Sequence, residues 1–573
     1  MIEELTPRLL STLMLFVVGI APMLTLLLSA ILLWRYRRAV DLQMAATVGF
    51  DDIPATDAPA TAEAGHDNNL AVLAEAAALY RRAARGPFHL AFHYIGAGFA
   101  FALVFAVAAH FAYLFRLGVP GFLVGVWIYA WPVVAALMLI VPATRRTRVA
   151  WVLAYFAVFQ SLVLWAGTVK DIPALDLGVM MLPARSSATP PLTMKLWLVA
   201  NGAPTFLMLF CFNNKVRAVA PLVLGLLTTA ISGTLAAYLV LFSQPGTEAV
   251  VALSVSLNLD VRWMLFGTFL LSFTAFGAVG WALARWIARA YRRRTVSDLS
   301  LMLDSAWLLF ASWYAMWLIL AGLAWTVSGP VAFVFYKLAL MLARALAGRE
   351  RQTQHGLAFL RVFSLGRRTE RLFDRVTRYW RHIGSVQIIT GPDVARSTVQ
   401  PHQFLDFLSG RLATHFVRDA ESLARSVAAW DRASGRDGRF RVNNVFCHAD
   451  SWQRVLPQLV RENDVVLMDL RSFSEKNAGC IHELRHLVGN VPLGRCLLLV
   501  DDTTDLAFLG RTLRMAWHDL PADSPNRGRS PDETPLHRFG SGPAAVHQLL
   551  GRLCEAIGRP SPTQVAVAST NGA

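Results

Sequence analysis

Runs of about 20 consecutive apolar residues, the length a helix needs to cross the hydrocarbon core of a bilayer, recur through the first 346 positions of this 573-residue chain. Backbone polar groups in lipid must be satisfied within the chain, so a region patterned this way is restricted to packed helices. The runs place spans near 9–33, 93–115, 121–143, 149–168, 195–213, 218–243, 263–287, 304–326 and 329–346, about nine in all. Only Ser328, Gly329 and Pro330 separate the last two, which read as a tight hairpin or as one long kinked element. The opening "MIEELTPR" is acidic and the first apolar run is long, so the first span reads as an anchor and not as a cleaved leader.

Hydrophobic residues make up 55% of the chain and charged residues 16%, against about 25% charged in soluble domains. The net charge of +16 is distributed in a telling way. "RYRR" (35–38), "RRTR" (145–148), "KVR" (215–217) and "RRR" (292–294) all stand at span ends. Nucleic-acid binding would want a basic stripe with aromatics on a soluble module. The pattern here is that of membrane orientation, and it excludes nucleic acid as the expected partner. All four clusters fall on one side if the N-terminus is outside and everything after Leu346 is cytoplasmic, with the Arg-poor loops 169–194 and 244–261 facing out. The expected location is the plasma (inner) membrane of a bacterium, with the lipid bilayer itself as the first partner.

Between the first two spans lies segment 39–92. Its middle (51–69) is rich in Ala, Pro, Asp and Thr and is expected to be disordered. "LAVLAEAAALYRRAA" (70–84) has helical spacing and reads as a helix lying on the membrane surface or packed on the C-terminal part. Polar residues within spans are His93, His110, Asn201 and Lys337. Asn201 reads as an interhelical hydrogen-bond partner. Lys337, near the middle of a short span, reads as snorkelling to either side. No internal repeat or paired broken helix marks a transporter. Cys211, Cys447, Cys480, Cys496 and Cys554 have neither metal-ligand spacing nor a disulfide rhythm and read as reduced cytoplasmic thiols.

After a linker at 347–356 the chain changes character. Strand-like runs at 357–364, 385–390, 438–447, 464–470 and 495–501 alternate with helical patterns at 367–384, 401–430, 451–463, 478–489 and 503–520. Such alternation, with strands that are continuous apolar runs, means a parallel sheet covered on both faces. The expected fold is a doubly wound α/β domain of five strands and flavodoxin-like size over 357–520, followed by a loop (521–535), a last helix near 543–557 and a disordered tail. Ligands in such sheets bind at the carboxyl ends of strands. That rim carries Ser364, Gly391, Pro392, Asp393, Asp469, Arg471 and Asp501.

"SFSEKNAGCIHEL" (472–484) links the fourth strand to a helix opening with Cys480, Glu483 and Leu484. This resembles the TIR domain, where a Ser-rich loop leads to a Trp-Cys-x-x-Glu-Leu helix. "LRVFS" followed by a helix and a return strand ending "ITGPD" also looks like the opening of that fold. The resemblance covers roughly 357–520. Gly479 stands where the family usually has Trp, Asn477 where a Ser is common, and the insertion 397–437 exceeds the family's usual connections. Nucleoside deoxyribosyltransferase-like proteins share a similar strand, loop and acidic helix. The resemblance implies cleavage of the bond between nicotinamide and ribose in NAD, with NAD as substrate and not as cofactor. It nominates Glu483 as the catalytic carboxylate, stabilising an oxocarbenium-like state as carboxylates do in glycoside hydrolysis. It places Ser364, Arg367, Asp393, Asp469 and Arg471 around the nucleotide.

Plainer readings stand beside these. A Glu in the first turn of a helix is favoured by the macrodipole alone. Cys480 reads as a small buried hydrophobe. His482 and His486 have i, i+4 spacing without a third ligand and read as surface residues. Asp501, Asp502 and Asp505 suit a strand end and an N-cap better than Mg²⁺. "GRRTER" (366–371) is not a P-loop. The expected protein is a membrane-tethered signalling or defence effector, assembling as a homo-oligomer through its bundle, whose module binds or cleaves a nucleotide. The alternatives are a non-catalytic TIR-like adaptor and a transporter with a cytoplasmic regulatory domain.

Overall fold

The computed structural model describes residues 2–47, 69–113, 118–168, 175–176, 181–182, 190–211, 219–319, 321–347, 354–361, 367–390, 399–540 and 542–557. The chain forms two compact units. One holds residues 1–33 and 88–349, the other residues 34–87 and 350–573.

The first unit is a helical bundle built from α1 (Ile2–Ala45) and α2 (Asn69–Ala112), whose residues 34–45 and 69–87 belong to the other unit, with α3 (Gly118–Tyr129), α4 (Trp131–Ile140), α5 (Arg145–Thr168), α6 (Pro190–Trp197), α7 (Ala203–Cys211), α8 (Ala220–Leu241), α9 (Gln244–Leu257), α10 (Val261–Arg292), α11 (Asp298–Ile319) and α12 (Ser328–Leu346). Eight helical stretches among the described residues are long and apolar enough to cross a membrane, α3 and α4 together making one of them. These are the helices of a multi-pass membrane protein. Nine were expected. Of the stretch expected at 195–213, the described part up to Cys211 is in three pieces, α6, a π-helical turn at Leu198–Gly202, and α7. Pro204 has no N–H to give the carbonyl four residues back, which loosens the ladder at that turn.

Small residues let the bundle close. Gly233 on α8 faces the ring of Phe276 on α10, and Gly329 at the start of α12 lies against Ala311 and Ala315 of α11. "SGP" therefore opens α12 and is not the bend. The chain turns earlier, through Gly322 and a 3₁₀ segment at Leu323–Val327, so α11 and α12 form a hairpin and not one kinked element. Phe101, Trp307, Tyr314 and Tyr336 make a connected aromatic core between α2, α11 and α12.

The second unit contains a sheet of seven parallel strands: β1 (His355–Arg361), β2 (Gly384–Ile389), β3 (Phe416–Val417), β4 (Val442–Cys447), β5 (Val465–Asp469), β6 (Cys496–Val500) and β7 (Leu536–Arg538), in the spatial order β3-β4-β2-β1-β5-β6-β7. Five were expected. The two added strands are the edges, of two and three residues, too short to show as an apolar run. The helical region expected at 401–430 is interrupted accordingly. It holds α14 (Pro401–Leu408), a positive-φ Gly410, β3, and α15 (Ala420–Ala428), which restarts on an Asp419–Ser422 capping box.

Side chains alternate strictly between the two faces. Leu357, Phe359, Val386, Ile388, Val465 and Leu467 pack under α13 (Arg367–Trp380) and α19 (Pro543–Ile557). Ala358, Leu360, Val466, Met468 and Leu498 pack under α16 (Trp452–Arg461), α17 (Ala478–Asn490) and α18 (Leu506–His518). The α/β unit is larger than the expected 357–520. It takes in β7 and α19, and also the chain between the first two spans. Of the two placements expected for 70–84, packing on the C-terminal part is the one found, since Ala76, Leu79 and Ala83 on the first half of α2 belong to the α13–α19 core. Tyr80 reaches His547 Nδ1 at 3.3 Å, and the His448 ring meets the Gln43 carbonyl at 2.6 Å.

Candidate functional site

The strand order fixes where a ligand site can form. From β1 the chain winds outward to β2 and on to β4 and β3, then returns to β5 on the other side of β1. The crevice at the carboxyl ends of β1 and β5 is therefore the topological switch point of the sheet. Arg361 and Asp469, the last residues of these two strands, are register partners there.

Five side chains gather at this point, all nearly inaccessible: Arg361, Asp469, Arg471, Cys480 and Glu483. Arg471 clamps Asp469 through two parallel bonds of 2.7 Å, from Nε and Nη2 to the two carboxylate oxygens, and its guanidinium lies 5.5 Å from the centre of the Phe539 ring. Geometry of this kind is what a buried ion pair needs to offset desolvation. The Cys480 thiol reaches the Arg361 carbonyl at 3.6 Å, and burial pushes its pKa up, with Glu483 and Asp469 adding to the rise. It is a neutral buried thiol, as its sequence context suggests. Cys447, Cys480, Cys496 and Cys554 are free and buried.

Glu483 differs from these neighbours. It sits on the inward face of α17, 1% exposed, and its Oε2 has no hydrogen-bond partner. Burial raises its pKa to about 8, with Arg361 opposing the rise, so the carboxyl is predominantly neutral at pH 7. A buried carboxyl with one oxygen unsatisfied is an uncommon arrangement, and a perturbed acid in a crevice is a mark of functional sites.

Towards solvent, Arg368 pairs with Asp501 at 2.7 Å and reaches Thr503 at 3.1 Å, while the Ser472 and Thr503 hydroxyls meet at 2.8 Å. Asp505 caps α18 by accepting from Phe508 N, and Asp502 pairs with Arg538. The three acids of "VDDTTD" thus serve separate partners.

Of the nominated residues, Glu483, Asp469 and Arg471 are brought together. Ser364 and Asp393 lie outside the described residues, and for Arg367 only its place at the start of α13 is described. Sequence reasoning takes the arginines of 361–381 for a solvated helix face near anionic lipid and so misses Arg361 and Arg368. Arg361 is instead 2% exposed at the end of β1, and its signal is a single charge inside the apolar run of a buried strand. His482 and His486 line a cavity of about 230 Å³ between the C-terminal ends of α17 and α18, on different residues from the switch point. The His482 ring stands edge-on to Trp452, their centres 5.4 Å apart.

In the bundle, Asn201 does bridge helices. It donates to the Ile128 carbonyl at 3.1 Å and accepts from the Tyr314 hydroxyl. Lys337 pairs with Asp304 of α11 at 2.6 Å, and Tyr336 donates to the same carboxylate. No family model, curated protein or solved structure matches this chain.

Proposed function

We propose that the chain is a plasma-membrane protein whose cytoplasmic α/β unit is a TIR-like, nucleotide-handling module, with NAD as the substrate that fits it best. The observation that carries this reading is Glu483, a buried carboxyl with an unpartnered oxygen at the switch point. In the reaction the C1′–N bond of the nicotinamide riboside breaks and its electron pair leaves with nicotinamide. Water adds to the resulting oxocarbenium and releases a proton. The cationic nicotinamide-ribose favours the ionised form of a nearby acid, so substrate entry would convert a neutral Glu483 into the carboxylate that holds the ribose hydroxyls and the developing charge.

The same reading sets the topology. Residues 34–87 and 350–573 belong to one unit, which supports placing them on one side of the membrane. The chain must therefore cross an even number of times between 88 and 349. Six apolar stretches fall in that interval and Leu73–Ala112 runs into it; counting the broken helix 190–211 as an eighth crossing satisfies this parity. With α1 this makes nine, the N-terminus outside and the Arg clusters inside, in accord with charge bias.

The test is nicotinamide release by the full-length protein in nanodiscs, dilute and artificially clustered, beside Glu483→Gln. Full-length protein is required because residues of α2 complete the α/β core. NAD consumed by the wild type and spared by the variant supports the reading. A folded protein that leaves NAD intact in both states moves the assignment to a non-catalytic adaptor. The closed Asp469–Arg471 pair is the observation that favours that second reading, since each of these side chains already occupies the other.

A further inference from the structure

The helix α9, between the long helices α8 and α10, buries none of its residues. Gly246, Val250 and Ser254, four apart on one face, are partly covered, and every other position is exposed. Val255 is 76% exposed, and Val251, Leu253 and Leu257 are about half exposed. A helix of 14 residues is marginal in water even when made of strong helix formers. α9 instead carries three Val, two Ser, one Thr and Gly246, which are weak ones. Without burial in the protein, its stability must come from something that covers it.

The surroundings are those of a bilayer. Tyr238 of α8 donates to the Leu265 carbonyl of α10 at 2.8 Å, so α9 leaves and rejoins a pair of membrane-crossing helices close to where they meet. Gly246 lies so near the Val240 and Leu241 carbonyls that a Cβ could not fit, which holds α9 against the end of α8. Trp263, 66% exposed at the start of α10, is of the residue type that marks the headgroup level. Between Glu248 and Asp260 there is no charged residue. The hydroxyls there turn back on the chain, Ser254 donating to the Leu259 carbonyl at 2.6 Å and Ser256 to the Leu253 carbonyl at 3.0 Å. Hydrocarbon requires such pairing within the chain, and water does not. Polar groups mark the ends instead. The Ser243 hydroxyl caps the start by accepting from Gly246 N, and Asp260 caps α10 just beyond a left-handed Asn258. Val251 and Val255 stand one turn apart on one side of the helix, with Leu253 and Leu257 near the opposite one. A folded partner or a second copy would cover a single stripe, whereas acyl chains cover every exposed side.

We propose that α9 is immersed in one leaflet of the membrane, with residues 249–257 among the acyl chains and its capped ends at the headgroups. A run of this length is too short to cross and suits an interfacial or re-entrant segment. Residues 244–260 contain no Lys or Arg, so the helix is held by burial of apolar surface and not by headgroup charge, unlike basic amphipathic anchors. Its partner is the hydrocarbon boundary of the bilayer, whatever the sign of the lipids.

The experiment uses full-length protein in phosphatidylcholine nanodiscs, with a nitroxide on single cysteines made by Val251→Cys, Val255→Cys or Leu257→Cys in a background without native thiols. Leu271→Cys on α10, at a position 75% exposed, is the lipid reference, and Leu506→Cys on α18 is the aqueous one. All these sites are on the surface, so the variants are expected to fold. Collisions with molecular oxygen, which concentrates in hydrocarbon, are compared with collisions with a water-soluble nickel chelate. The α9 labels are expected to give an oxygen-to-nickel ratio close to that at Leu271 and well above that at Leu506. Adding phosphatidylglycerol is expected to leave the ratio unchanged. Nickel access as free as at Leu506 would place α9 in water, and shielding from both reagents would place it under a protein partner or a second copy. Either result overturns the assignment, as does immersion that occurs only with the anionic lipid.

Discussion

Glu483 has a thermodynamic signature that can be read without any ligand. Its pKa is about 8 in the folded protein against 4.5 for the free group, so between these values the folded state binds more protons than the unfolded one. Stability is fully present below pH 4.5 and falls as pH rises through about 8, the reverse of a salt-bridged carboxylate. The loss is on the order of 5 kcal/mol by pH 9. Glu483→Gln abolishes the titration, so the variant should match or fall slightly below the wild type at pH 5 and melt clearly higher at pH 9. Parallel melting curves across that range would show that the carboxyl does not titrate as buried. Lys337 allows a second test at this scale. If its pair with Asp304 is a closed structural unit, Lys337→Met and Asp304→Asn should each cost more than the double variant, because each single change strands a charge among apolar helices. Additive losses in thermal melts would argue instead that the two act independently. The sequence displayed Lys337 as an oddity but hid its partner, since Asp304 stood at the edge of an apolar run. The helix begins six residues earlier, at Asp298, which sets Asp304 in its second turn.

Elements were legible where their pattern was long. The five inner strands and the helices between them follow from apolar runs and 3.6-residue spacing, because burial on both faces leaves no other composition open to them. Edge strands of two or three residues have no room for a pattern, and β3 and β7 were read through as helix and loop. The first half of α2 was legible as a helix, and only the structure shows that it continues without a break to Ala112 and buries Ala76, Leu79 and Ala83 in the α/β core. That assignment predicts that Leu79→Ala destabilises the unit by about 2–4 kcal/mol, whereas Leu73→Ala on the same helix, at a position 60% exposed, changes it by less than about 0.5 kcal/mol. Equal effects in denaturant titrations would contradict the packing. A fragment starting at 347 lacks that face and is expected to be poorly folded on its own.

At the scale of the whole molecule, the proposed orientation draws on the Arg clusters at span ends and on the parity of the crossings proposed within 88–349. On that proposal Thr144 lies on the side of the α/β unit and Glu248 on the other. Single cysteines there, in a background from which the native thiols have been removed, should label from opposite faces of intact vesicles. Labelling of both from one face would remove the crossing at 190–211 and with it the nine-span topology. The candidate site was legible only in part. The strand end and the acidic helix were in the sequence, but which strands are neighbours is a property of the assembled sheet, and that alone joins Arg361 to Asp469 and Glu483.

Glu483 is proposed to be a neutral acid that meets a ligand. The most direct measurement is the infrared carbonyl stretch of a protonated carboxyl in the full-length protein at pH 7, with and without a non-hydrolysable NAD analogue, and with Glu483→Gln as the reference. A band that disappears in the variant and is lost when the analogue binds the wild type is the predicted result. A band indifferent to the analogue, or none attributable to Glu483, would contradict it and leave that carboxyl a structural feature of α17.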